Sequence, residues 1–210
     1  MMPDMQDRAT LGDLDGSTRT LVRLSAVVSA GRDFEIRAAM TSAREQVPAE
    51  WVEELVLQSY LFAGFPRALN AMREWRRVRE GPVVDTPPGT IDGWRAAGEE
   101  TCAAVYGEMY DRLRDNIRGL HPLLDEWMIV EGYGKVLSRP GLDLARRELC
   151  IVAACAATDQ DRQLHSHLHG ALNVGVPPAV VDAALESLGD ILGEARARDV
   201  AMLWARVRGK

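Results

Sequence analysis

The chain has 210 residues, with 25 basic and 31 acidic side chains and a net charge of −6. That balance lacks the basic footprint of a nucleic-acid-binding protein, and no uninterrupted apolar run approaches the ~18 residues of a membrane span. Aromatic residues make up only 6%, and the abundance of Ala, Leu, Val, Arg and Glu favours helices over sheets. The acidic start, MMPDMQDRATLGDLDG, has no apolar stretch of the kind a secretory leader needs. Three cysteines is an odd number, which argues against a disulfide framework and for a reducing, cytoplasmic setting.

Residues 1–17 are polar and expected to be flexible. From Thr18 the pattern is helical: Leu21, Leu24, Val27 and Val28 recur at helical spacing, and Gly31 closes the helix. Asp33 reads as the N-cap of a second helix reaching Gln46. Pro48 opens a third, Ala49 to Leu61, broken by Gly64 and Pro66. A fourth, Arg67 to Arg79, is expected to turn Leu69, Met72 and Trp75 inward. GPVVDTPPGT, residues 81–90, packs three prolines and two glycines into ten residues and sets a linker at 81–92. Beyond it the pattern predicts a helix from Trp94 to Leu113 with a bend at Gly107, then one from Pro122 to Val130. SRPGLD, Ser138 to Asp143, is a turn. An apolar helix follows from Ala145 to Ala157, then Asp161 to Val174 closed by Gly175, Pro177 to Leu188, and a last helix to Val207.

The chain repeats itself. Shifted by 128 residues, Thr20–Gly31 lies on Glu148–Asp159, and Asp33–Met40 lies on Asp161–Leu168. After a one-residue slip, Val47–Glu54 lies on Val176–Ala183, and Gly64 meets Gly193. The shared order of helix, turn, helix, turn, proline and helix predicts an all-α tandem repeat, with units at 18–80 and 93–207 that cover each other's apolar faces.

The segment GYGKVLSRPGLDLARRELCIVAACAATDQDRQLHSHLHGALNVGVPPAVV resembles the core of the carboxymuconolactone decarboxylase and alkylhydroperoxidase D superfamily. SYLFAGFPRALNA, Ser59–Ala71, is similar to that family's Y-x-x-A-G-x-P-x-A-x-N segment. The matches span residues 20–75 and about 130–190. The resemblance implies an all-α fold of paired helices and a homo-oligomer, often a ring. The alkylhydroperoxidase branch uses a glutamate, a C-x-x-C pair and a histidine. Glu148 and His167 match the first and last, but Gln160 and Gln163 occupy the two cysteine positions. Disulfide cycling needs two sulfurs and a thiolate, so peroxidase chemistry of that dithiol type is not expected.

The remaining cysteines offer little in its place. Cys150 and Cys155 are five apart on one helix, so their side chains point about 140° apart, and only Cys102 could approach either. His167, with Glu148 across the hairpin, is the candidate proton carrier; Gln163, four residues before His167, is placed to orient its ring. On antiparallel helices Glu148 falls near the level of residue 171, about 6 Å along the axis from His167, a gap that side chains can close. Arg147, Gln160 and Tyr133 are the substrate-binding candidates; in the decarboxylase branch an arginine matching Arg147 would meet a substrate carboxylate. Arg139 is as well suited to pinning the RPGLD turn. His165 and His169 share a face at i, i+4 but have no obvious third ligand, so neither a metal nor another cofactor is expected. Thr20 and Ala39 stand where Glu148 and His167 stand, so the first copy is chemically degenerate. Glu108 and Tyr110 receive no role.

These readings predict cofactor-independent acid–base chemistry on a small carboxylate or lactone. The rivals are a peroxidase using Cys102 with Cys150 or Cys155, and a non-catalytic oligomeric binding protein on the same fold.

Overall fold

The computed structural model describes residues 11–81 and 89–209, and within them every regular element is helical. Asp15 starts the first helix: its carboxylate accepts the Thr18 N–H and the Thr18 hydroxyl, each at 2.8 Å. Helix α1 (Gly16–Ala30) follows, then α2 (Asp33–Gln46), α3 (Ala49–Ala63) and α4 (Phe65–Val78). The second half begins with α5 (Ile91–Tyr106), a 3-10 turn (Gly107–Met109), α6 (Tyr110–Leu120) and α7 (Pro122–Trp127). The chain then winds as a π-helix (Met128–Leu137), with the Ser138 N–H bonded to the Tyr133 carbonyl five residues back. Helices α8 (Leu144–Ala157), α9 (Asp161–Asn173), α10 (Pro178–Glu186) and α11 (Gly189–Arg208) complete it.

Four sequence expectations are corrected. Leu11 and Leu14 are buried in the core, so residues 11–17 are not a loose tail; residues 1–10 lie outside the described residues. Asp33 is the first residue of α2, not its cap, because Glu35 reaches back to accept the Arg32 N–H at 2.7 Å. Thr90 caps α5, so positions 91 and 92 of the expected 81–92 linker are helical; residues 82–88 lie outside the described residues. Leu69 is 52% exposed while Trp75 on the same helix is fully buried.

The duplication is written into the contacts. Gly64, between α3 and α4, and Gly193, where α11 kinks, share one backbone conformation, φ 83° ψ 158° and φ 75° ψ 162°. Three residues beyond each glycine an arginine Nε donates to a carbonyl of the preceding hairpin: Arg67 to Val28 at 2.9 Å, Arg196 to Ala156 at 2.8 Å. Further on, the Trp75 indole N–H meets Glu53, with Arg79 alongside; the Trp204 indole N–H meets Asp182, with Arg208 alongside. Helices α1 and α8, equivalent in the two copies, pack against each other along the centre. Arg146 there donates to the Thr18 hydroxyl at 2.9 Å, from one copy to its counterpart position in the other. Helices α5–α7 are an insertion between the copies, and α5 packs on the π-helix and on α9.

The conformation of Gly64 and Gly193 is one that residues with a Cβ essentially do not adopt, at a cost of about 1–3 kcal/mol. Gly64→Ala and Gly193→Ala should each lower unfolding stability by about that amount, read as a drop in urea midpoint with little change in slope.

Candidate functional site

Asp143 caps α8, its carboxylate accepting the Arg146 N–H at 3.0 Å, and this sets Glu148 in the second turn of a helix buried along most of its length. Helix α9 returns antiparallel. A Cβ at Gly170 would stand 2.5 Å from Glu148 Oε2; the absence of a side chain there makes room for the carboxylate. Glu148 Oε2 and His167 Nδ1 are 2.8 Å apart, and both residues are buried. With Nδ1–H donated to the carboxylate, the tautomer leaves the Nε2 lone pair as the base. Nε2 has no hydrogen bond among the described residues.

Glu148 Oε1 is buried with no partner among the described residues. An unsatisfied buried polar group costs about 1–3 kcal/mol, a burden that packing alone gives no reason to keep. Around the pair lie weakly acidic, uncharged groups. Burial pushes Tyr106 up to about 12, with the Glu148 charge adding to it and hydrogen bonding to Tyr133 and Ser166 relieving part of it. Tyr133 is likewise raised well above its ordinary value, by burial first and then by Tyr106 and Glu148. The Phe62 ring meets His167 edge-on at 5.6 Å between centroids, and the Tyr106 ring does so at 6.5 Å.

The predicted residues divide. Glu148 and His167 meet. Tyr133 packs edge-on against Tyr106, 6.2 Å away between ring centroids. Gln160 Nε2 donates to the Phe62 carbonyl at 3.0 Å, so it ties the first copy over the hairpin. Gln163, expected to orient the ring, is exposed, and it is Glu148 that holds Nδ1.

Arg147 does not suit the substrate-anchoring role. It is fully buried, and its guanidinium is spent on Glu54 Oε2 at 2.8 Å, Gln58 Oε1 at 3.1 Å and the carbonyls of Leu142 and Arg139 at 3.0 Å each. Burial pulls its pKa down and Glu54 opposes this. Arg139 also pairs with Glu54, at 2.9 Å.

Sequence reasoning passed over three participants. Phe62 lies inside the YLFAGFP segment, where a signal was present. Tyr106 lies on the inserted α5, which carries no motif. Glu54 offered no pattern that would pair it with a residue 93 positions away.

Cys102, Cys150 and Cys155 are free thiols, all fully buried. Burial pushes Cys102 and Cys155 up to about 12 and Cys150 higher still. Such thiols yield little thiolate at neutral pH, which works against a peroxidase route.

A family model described as the carboxymuconolactone decarboxylase family matches residues 4–77 and again residues 126–206. The chain belongs to this family. The two matched regions fall on the two halves of the duplication and leave out α5 and α6. Two curated relatives carry the name Peroxisomal protein 2. The one from Schizosaccharomyces pombe is 27% identical over 180 residues, covering 82% of this chain and 84% of the relative. The one from Saccharomyces cerevisiae is 25% identical over 174 residues, covering 68% of this chain and 60% of the relative.

Removing one partner of a buried ion pair strands the other. Glu54→Ala should therefore destabilise the protein by about 3–5 kcal/mol, measured by urea unfolding. The raised thiols and tyrosines set an alkaline limit. Their neutral forms are favoured in the folded state, so their contribution is complete below the ordinary thiol pKa near 9 and is lost as pH climbs toward 12. The unfolding midpoint should fall steadily above pH 9 in a titration from pH 7 to 11.

Proposed function

We propose that this protein catalyses cofactor-independent proton transfer on a small lactone or related carbonyl compound, with His167 as the base and Glu148 holding its ring. The 2.8 Å contact between Glu148 Oε2 and His167 Nδ1 carries this reading. It supplies an oriented imidazole in a largely water-excluded setting, with no thiol pair at the positions that the peroxidase branch uses.

The step balances within the dyad. Nε2 takes a proton from a carbon next to the carbonyl; the C–H electrons move into the carbonyl oxygen as an enolate, and the same nitrogen returns the proton to an enolate carbon. In the decarboxylating version the C–C bond to a substrate carboxylate breaks instead: its electrons form the enolate as CO2 leaves, and His167, having taken a proton from solvent at Nε2, delivers it to the enolate carbon. Positioned acid–base catalysis of this kind contributes about 10²–10⁴-fold. The unpartnered Glu148 Oε1 favours this over a purely binding protein. Because Arg147 is committed elsewhere, the proposal includes no guanidinium anchor.

The expected homo-oligomer remains part of the proposal. Phe65 and Leu69 are exposed one turn apart on α4, and Tyr60 stacks on Phe65, an apolar face close to the Phe62 roof.

Incubation in D2O with a panel of lactones, carboxymuconolactone among them, should show deuterium incorporation or CO2 release by NMR. His167→Ala should lose at least about 100-fold of that rate, and Glu148→Gln a smaller part. Equal rates for wild type and His167→Ala would remove His167 from the mechanism.

A further inference from the structure

Between the end of α5, the 3-10 turn, α6 and the outer face of α9 lies a cleft of about 730 Å³, a volume that suits a small organic molecule. Neither Glu148 nor His167 lines it, so it is a place apart from the dyad. Val105, Met109 and Leu113 give it an apolar wall. His165, Ser166 and His169 line it from α9, all three half-buried. The two imidazoles stand 4.9 Å apart between centroids, and an imidazole keeps at least one N–H donor in either protonation state. The end of α9 is fixed against α5 by Asn173, whose Nδ2 donates to the Val105 carbonyl at 2.8 Å, so the walls are already in place.

Helix phase brings two cations to the rim. Arg162 lies one turn before His165 and Ser166, on the face of α9 that carries both of them and His169. Arg112 lies three residues after Met109 and four before Asn116, on the side of α6 that lines the cleft. Both arginines are exposed, and neither has an ion pair among the described residues. One helical turn is about 5.4 Å, within the reach of an arginine side chain. The opposing charge is small. Glu108 is the one carboxylate among the lining residues. Asp111 and Asp115 fall on the far side of α6 by helix phase, and Asp115 pairs with Arg118 at 3.0 Å. Asp161, at the start of α9, pairs with Arg196 at 2.7 Å. Two guanidiniums thus act against one carboxylate, and the guanidinium fork matches the oxygens of a carboxylate or a phosphate.

We propose that this cleft is a second binding site for a small organic anion. Its carboxylate or phosphate head is held by His165, His169, Arg112 and Arg162, and its apolar body lies on Val105, Met109 and Leu113. The site does not rest on the acid–base reading of the dyad.

The test titrates benzoate, phenyl phosphate, inorganic phosphate and the neutral benzamide into the full chain at pH 7.5, followed by NMR of the histidine rings. Benzoate or phenyl phosphate should bind at least about tenfold more tightly than benzamide and shift His165 and His169, while His121 on the far side of α6 stays in place. The tighter of the two anions assigns the head as carboxylate or phosphate. Arg112 and Arg162 are exposed, so the double variant Arg112→Gln, Arg162→Gln keeps the core intact; it should lose at least about tenfold in affinity for the anion and hold its affinity for benzamide. Met109 is 49% exposed, and Met109→Ser should weaken phenyl phosphate at least about threefold while inorganic phosphate is unchanged. Absence of binding, benzamide bound as tightly as the anions, shifts confined to His167, or an undiminished anion affinity in the double variant would each overturn the site. Equal effects of Met109→Ser on both phosphates would overturn the apolar body.

Discussion

A guanidinium with no exposed surface fixes how the two halves of this chain sit on each other. Arg147 rises from α8 in the second copy and reaches Glu54 and Gln58 on α3 of the first, while two more of its hydrogen bonds grip the turn leading into α8. Uncharged substitutes could fill the same volume, but removal of one charge strands the other in a low-dielectric interior. With α3 held, its last turn lies over the α8–α9 hairpin, and Phe62 falls on the imidazole. Gln160 secures that position from the far side by bonding the Phe62 carbonyl.

The degenerate copy therefore serves the other. Where Glu148 stands in the second copy, the first has Thr20, whose hydroxyl bonds the Gly16 carbonyl and Gln46; where His167 stands, it has Ala39. Nothing titratable is left at those two places. What the first copy keeps is the frame, with the same glycine bend, the same arginine on a hairpin carbonyl and the same tryptophan on an acidic side chain. Geometry has been retained where chemistry has been lost.

Much of this was legible in the residues. Helix ends were set by local signals, such as the proline openings and Gly31 and Gly175, and the pairing of Gly64 with Gly193 came from register alone. The facing of Glu148 and His167 followed from helix rise across a short turn, and their side chains close to 2.8 Å. Side-chain commitments were not legible. Gln163 shares a helix face with His167 by spacing, yet spacing does not say which nitrogen is already taken. Arg147 looked available because its partner lies in the other copy. Tyr106 was invisible because the insertion that carries it has no counterpart to compare. The helix expected from Pro122 stops at Val130, whereas the π-helix runs over Met128–Leu137, since hydrophobic period does not report a widened hydrogen-bond ring.

Joining two copies in one polypeptide also changes what mutation can do. In a dimer of identical subunits every substitution appears on both sides of the axis, so a residue cannot become a roof for its neighbour without also becoming a roof for itself. Here α1 packs on α8, but positions 20 and 148, or 39 and 167, vary independently. The first copy has Thr20 and Ala39 where the second has Glu148 and His167, an asymmetry that no self-paired subunit could reach.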